Sequence, residues 1–224
     1  MNKKYWSAHP LPRKSAKAVR KDGIGHLADD FGNSLPSVTT IIDITRSPAE
    51  KARLATWRIN KGSEATEILQ IGRMGHRHIE RYFLDEKTPC PELIKFHWQS
   101  LLPELEKLNN IRLVEGNLFH FYKGYAGRVD CVGSFDYLPC AIEFKFSDRI
   151  KPIYEETKLQ IAGYIGALNR QYGEPYQVRI NHALIILATP EGADVTLMEP
   201  KEVNEYWEKW QEKVAAFWNI RKAA

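Results

Sequence analysis

Residues 127–164, GRVDCVGSFDYLPCAIEFKFSDRIKPIYEETKLQIAGY, decide how this chain is read. Asp130 and Glu143 stand thirteen positions apart with strand-like sequence between them, and Lys145 follows two residues after Glu143. Side chains alternate along a strand, so Glu143 and Lys145 share one face of CAIEFKF. Two charges on a face of an otherwise apolar strand are costly unless they are paired or bound to a metal. Asp and Glu are hard oxygen ligands suited to Mg²⁺ or Mn²⁺. Such an ion lowers the pKa of bound water and offsets charge building on a phosphate, and a neighbouring lysine can position that water. The plainer reading of the same triplet is a buried Glu–Lys ion pair.

The stretch after the strand adds a second spacing. Gln160 and Tyr164 lie at i and i+4 of a helix expected over 153–170, so they share a face. The order Gly127, Asp130, Glu143, Lys145, Gln160, Tyr164 resembles the RecB-like branch of the PD-(D/E)XK nucleases, whose pattern reads G-x-x-D, then E-x-K or D-x-K, then Q-x-x-x-Y. PSVTTI (36–41), the G-x-x-x-H segment ending at His76, Glu115 and QIAGYIGALN (160–169) look like the exonuclease group of that branch found in mitochondria, phages and bacteria. The mitochondrial members carry Asp where Glu143 stands.

The resemblance implies an α/β fold: a PD-(D/E)XK restriction-endonuclease-like core, with a mixed central sheet flanked by helices and an N-terminal helical elaboration over the site. It implies a metal held by His76, Asp130, Glu143 and the backbone carbonyl of Phe144, with Asp130, Glu143 and Lys145 as the catalytic group. Ser37, Thr39, Arg128, Ser147, Gln160 and Tyr164 are expected at the substrate, with Glu80 and Glu115 in support. The expected cofactor is Mg²⁺ or Mn²⁺, one ion or two. The expected partner is DNA, single-stranded or with single-stranded ends, and phosphate contacts give little sequence specificity. An endonuclease, a nuclease acting on duplex ends, and a non-catalytic nucleic-acid binder on a nuclease scaffold are the alternatives.

The rest of the chain sets the frame. At 224 residues with 43% hydrophobic content, it can bury a sizeable core. Residues 1–21 hold seven Lys/Arg and no acid against a net charge of +4, so the remainder is net acidic. Residues 1–34 therefore read as a flexible basic arm, a solvated terminus or a tracking segment for nucleic acid. Residues 35–224 read as one nuclease domain: a helical arch to 110, the core over 111–200, and a C-terminal helix. Cys90, Cys131 and Cys140 fit no disulfide framework, and no cysteine follows Cys140, so no iron–sulfur cluster is expected. Without an apolar run of about 20 residues, no membrane span is expected. The location that follows is cytoplasmic, with a mitochondrial one as the minor alternative.

Local signals place the elements. LPSVTTIIDIT (35–45) has strand propensity. Ser47-Pro48-Ala49-Glu50 opens a helix with a capping box, and a second helix spans about 64–84. Another spans 91–108. Strands follow at 112–122, 125–136 and 140–146. HALIILAT (182–189) reads as a buried strand beside the E-x-K strand, followed by a strand at 193–198. In the last helix, 200–222, a tryptophan stripe reads as core packing.

Overall fold

The structure is a computed structural model that describes residues 4–223. Its first surprise is the N-terminal segment, of which Lys3 lies outside the described residues. β1 (Lys17–Lys21) and β2 (Ile24–Ala28) form an antiparallel hairpin, and β3 (Ser34–Pro36) pairs with β2. The hairpin turn is Asp22-Gly23, with φ of 51° and 77°. Two positive φ values are what a two-residue type I′ turn demands, and Asp-Gly supplies them. The residues ahead of β1 are docked as well. Ile111 donates its N–H to the Tyr5 carbonyl, Ser7 donates to Ile111, and Leu11 donates to Arg112. Tyr5 and Leu11 are buried. The segment expected as a flexible arm therefore covers the outer edge of the first long strand, satisfying groups that an open edge leaves unpaired.

Residues 35–45 also depart from expectation. Only the first two enter β3, and α1 (Val38–Ile44) follows. Ser37 caps it, its Oγ accepting the Thr40 N–H at 3.1 Å. Val38, Ile41 and Ile42 are buried at helical spacing. Each such burial stabilises by roughly 1.5–3 kcal/mol, whereas a β-branched residue costs a helix only about 0.5 kcal/mol. Packing therefore overrides the local strand preference.

α2 (Pro48–Lys61) has the expected Ser47/Glu50 capping box and buries no residue. α3 (Ser63–Phe83) and α4 (Lys95–Glu106) belong to the core rather than to an added layer. Their Ile79, Phe83, Leu101 and Leu105 pack on Ile142, Phe144 and Ile186 of the sheet.

That sheet is mixed, with order β4 (Leu108–His120), β5 (Tyr125–Phe135), β6 (Leu138–Phe146), β7 (His182–Ala188), β8 (Ala193–Met198). The β6–β7 pair is parallel and the others antiparallel. The long crossover between β6 and β7 is α5 (Glu155–Tyr176), which covers the opposite face together with α6 (Pro200–Ala223). Trp210 is fully buried, and Trp207 and Trp210 lie over Gly166 and Gly163 of α5. A Cβ on Gly166 would stand 2.0 Å from Trp207, so these glycines serve helix–helix contact with α6. The α/β layering expected from the sequence is present. No helix among the described residues is long and apolar enough to cross a membrane.

Candidate active site

The site lies where two strands part. β5 and β6 pair from Phe135↔Leu138 to Cys131↔Ile142 and then separate, while β6 continues beside β7 to Phe146↔Ala188. Past the fork the Phe144 N–H has lost its ladder partner. A buried backbone donor must be satisfied, and Asp130 Oδ2 accepts it at 2.8 Å. The N–H and C=O of one strand residue project to the same edge, so the Phe144 carbonyl also faces the fork.

Glu115 stands opposite Asp130 on β4, between the pairs Val114↔Cys131 and Gly116↔Val129. Its φ is +48°, a region costing a non-glycine residue about 1–3 kcal/mol. Here that strain brings a second carboxylate to the fork. From α3, His76 Nδ1 lies 3.3 Å from Asp130 Oδ1 and 3.7 Å from Glu115 Oε1. One ligand atom from each of the three residues falls within a common 4.8 Å. α3 can approach this closely because of Gly75, where a Cβ would meet the Phe146 ring at 2.2 Å. Gly72, the glycine of the G-x-x-x-H spacing, faces open space.

The other half of the site is a polar network on the α5 face. Lys145 Nζ donates to Glu143 Oε1 at 2.7 Å and to Gln160 Oε1 at 3.1 Å. Gln160 Nε2 donates to the same Glu143 oxygen at 2.8 Å and to the Tyr164 hydroxyl at 3.0 Å. Glu143 Oε2 is buried with no hydrogen-bond partner among the described residues. An orphaned carboxylate oxygen inside a protein is expensive. Glu143 lies outside the His76, Glu115 and Asp130 group but feels the charges of Asp130 and His76, and an imidazole with two carboxylates is a donor set that a hard divalent cation accepts.

The electrostatics follow from crowding. Burial, then the like charge of Asp130, pushes Glu143 up to about 7 against the lowering effect of Lys145. Burial alone would favour neutral His76, but Asp130 and Glu115 hold its pKa well above the usual value. Lys145 is likewise raised despite burial, because Glu143 is beside it. Burial and then Glu143 raise Tyr164 well above an ordinary tyrosine.

Other expected site residues divide. Arg128 is half exposed at the rim: its Nε donates to Asn117 Oδ1 at 3.0 Å, and Nη1 lies 3.9 Å from Glu115 Oε2. Ser37 and Thr39 sit at the start of α1, their hydroxyls 3.0 Å apart. Ser37 bridges to β5 at Ala126, and Val38 lies against Gly127. Glu80 forms no hydrogen bond or ion pair with His76 among the described residues; it pairs with Arg13 at 2.7 Å. Ser147 is buried: its hydroxyl donates to Asp148 at 3.0 Å, its carbonyl bonds His97 Nε2, and its N–H donates to Ala188. It closes the β6–β7 end and lines a cleft beside Lys61 and Phe146. Glu115, expected in support, shares one cluster of donor atoms with His76 and Asp130. Asn117 was not anticipated at all; β4 carries two other asparagines, an arginine and a glutamate, so one more polar residue gave no signal. A cleft of about 1170 Å³ lies elsewhere, between the β2–β3 turn and the end of α5.

With this geometry in hand, the similarities of the chain take on meaning. No family model matches it. It is similar to mitochondrial genome maintenance exonuclease 1 of Xenopus tropicalis, at 28% identity over 217 residues covering 89% of this chain and 60% of that protein. The protein of the same name from Mus musculus is 26% identical over 80% of this chain and 57% of its own length. The Homo sapiens protein is 26% identical over 80% and 56%. This chain thus spans between half and two thirds of the length of these relatives. Among solved structures, SSO0001 aligns at 15% identity with a TM-score of 0.35, over 71% of this chain and 70% of that one. The likeness to exonucleases read from the Asp130, Glu143–Lys145 and Gln160–Tyr164 spacing agrees with the names of the relatives.

Proposed function

We propose that this chain is a metal-dependent DNA exonuclease that hydrolyses phosphodiester bonds, prefers single-stranded ends and reads little sequence. The observation that carries the reading is the convergence of His76, Glu115 and Asp130 near a Glu143 whose charge couples to Asp130 and His76, whose second oxygen has no partner among the described residues, and which a lysine approaches at 2.7 Å. A structural ion pair would account for Glu143 and Lys145 but not for a histidine and two further carboxylates converging on the fork.

His76, Asp130, Glu143 and the Phe144 carbonyl would hold Mg²⁺ or Mn²⁺, and Glu115 is placed to join them. Such an ion supplies Lewis acidity and offsets the negative charge of the phosphate. The protein supplies orientation and charge around it. Glu143 and Gln160 fix the Lys145 ammonium, so it can align an attacking water and meet developing negative charge without reorganising. Gln160 is itself held by Tyr164. Asn117 holds Arg128 at the rim, where its guanidinium can take a phosphate oxygen. Backbone contacts of this kind carry no base information.

The test is digestion of linear, end-labelled single-stranded DNA with Mg²⁺ or Mn²⁺, beside EDTA and a circular single strand of the same sequence. Short labelled products from the linear strand, absent with EDTA, support the reading. Equal cleavage of the circle makes the enzyme an endonuclease, and no cleavage with either ion removes the hydrolase assignment.

A further inference from the structure

The basic N-terminal segment carries an inference that rests on the nuclease reading and goes beyond it. Arg13, Lys14, Lys17, Arg20 and Lys21 fall within nine residues that contain no acid. The structure ties this stretch to the rim of the site. Arg13 pairs with Glu80, one helical turn past His76. The Lys14 carbonyl accepts from Asn117 Nδ2 at 2.8 Å, and the same amide holds Arg128 beside Glu115. Just upstream, Tyr172 donates its hydroxyl to the Pro12 carbonyl at 2.7 Å. From this anchor the chain enters β1, whose five residues are all exposed and whose outer edge pairs with nothing among the described residues.

Lys14, Lys17, Arg20 and Lys21 make no ion pair among the described residues. Of the nearby acids, Asp22 pairs with Arg221 at 3.0 Å, Asp29 accepts the N–H groups of its own turn, and Asp30, which lines the same cleft as Lys14, forms no ion pair among the described residues. Screening confines a surface charge to roughly 8 Å at physiological salt. Only cations fixed to the rim can therefore act on a polyanion seated at the fork, where the protein's own carboxylates repel it.

We propose that residues 13–21 form a fixed phosphate rail that holds the DNA backbone flanking the bond to be cut, with Arg128 as its inner end and Lys21 as its outer end. Eight residue steps reach at most about 26 Å, the length of roughly eight stacked nucleotides at ~3.4 Å each. The rail thus acts on DNA longer than the few nucleotides at the fork. Lysines on an edge strand also deter sheet-to-sheet association. That role alone predicts an effect on self-association and none on DNA.

The experiment compares the Lys145→Ala protein with the same protein carrying Lys14→Gln, Lys17→Gln and Lys21→Gln. Binding of a labelled 20-nucleotide oligothymidylate with Mn²⁺ is followed by fluorescence anisotropy across a salt series. For single strands the slope of log K against log salt is about 0.7 per phosphate contact. Losing three contacts should flatten it by about 2. An unchanged slope overturns the rail, as does a variant that only self-associates in light scattering. If the unsubstituted protein digests DNA while the slope is unchanged, the rail alone fails. If it neither digests nor binds DNA, the nuclease reading falls with it.

Discussion

Lys145 Nζ and Glu143 Oε1 lie 2.7 Å apart, yet the second oxygen of that carboxylate is buried without a partner. The lysine therefore satisfies one oxygen of Glu143 and leaves the other without a partner among the described residues. Lys145→Ala should cut digestion by about 10²–10³-fold, the cost typical of removing a preorganised group that meets transition-state charge. Mn²⁺ affinity, measured by titration calorimetry, should fall by far less, because every candidate ligand remains. Glu143→Gln should lower both. Equal loss of Mn²⁺ affinity in the two variants would make Lys145 a structural partner only.

The two glycines of α3 separate packing from conformational cost. Gly75→Ala drives a methyl to 2.2 Å from the Phe146 ring, on the helix turn that carries His76. Overpacking of this kind costs about 1–3 kcal/mol. Gly72→Ala meets nothing within 4 Å and should stabilise by up to about 1 kcal/mol through helix propensity. Urea unfolding of the pair reads both effects, and matching midpoints would mean that Phe146 yields freely.

That contrast also shows what a sequence can carry. The E-x-K strand and the Q-x-x-x-Y helix were legible because each spacing fixes a face by local geometry alone. Glu115 was harder to place, since its meeting with Asp130 depends on the β4–β5 register and on a backbone twist at one residue. Ser147 was legible as the residue that follows the E-x-K strand, but its partners were not, since they depend on how far β7 runs beside β6. The N-terminal sheet was missed even though Asp22-Gly23 marks its turn. KAVRK and IGHLA are too short and too irregular in alternation to declare themselves, and their charge drew attention first. The run 38–44 misled because β-branched residues favour strands, while burial of Val38, Ile41 and Ile42 decides for helix.

The metal-free protein should lose stability as pH rises from about 5 to 8. Glu143 sits at about 7 folded against 4.5 for an ordinary glutamate. A group whose folded pKa is raised contributes stability fully present below its unfolded value and lost as pH climbs through the folded one. For Glu143 that loss is on the order of 2–3 kcal/mol. His76 is also raised, from 6.5, and adds loss of the same sign above that pH. Denaturant midpoints in EDTA should therefore fall across this window. Adding Mn²⁺ should restore more stability at pH 8 than at pH 5, since its ligands must be deprotonated. A flat profile in EDTA would show that Glu143 titrates as an ordinary carboxyl.

Glu115 offers the sharpest separation of stability from function. Its φ of +48° penalises any side chain with a Cβ, and its carboxylate faces Asp130. Glu115→Gly removes both penalties, so the metal-free protein should gain about 1–2 kcal/mol. The same change deletes one of three converging ligand groups and one partner of Arg128. Mn²⁺ affinity and digestion should therefore fall together, by about tenfold or more if Glu115 acts as a ligand or as a close support of one. Glu115→Gln keeps the strained backbone and removes the charge. It should share the loss of metal affinity while recovering only the electrostatic part of the stability. A glycine variant that is more stable and equally active would mean that the fork tolerates Glu115 for reasons unrelated to the metal. A glycine variant that is less stable would mean that the Arg128 and His76 contacts outweigh the strain.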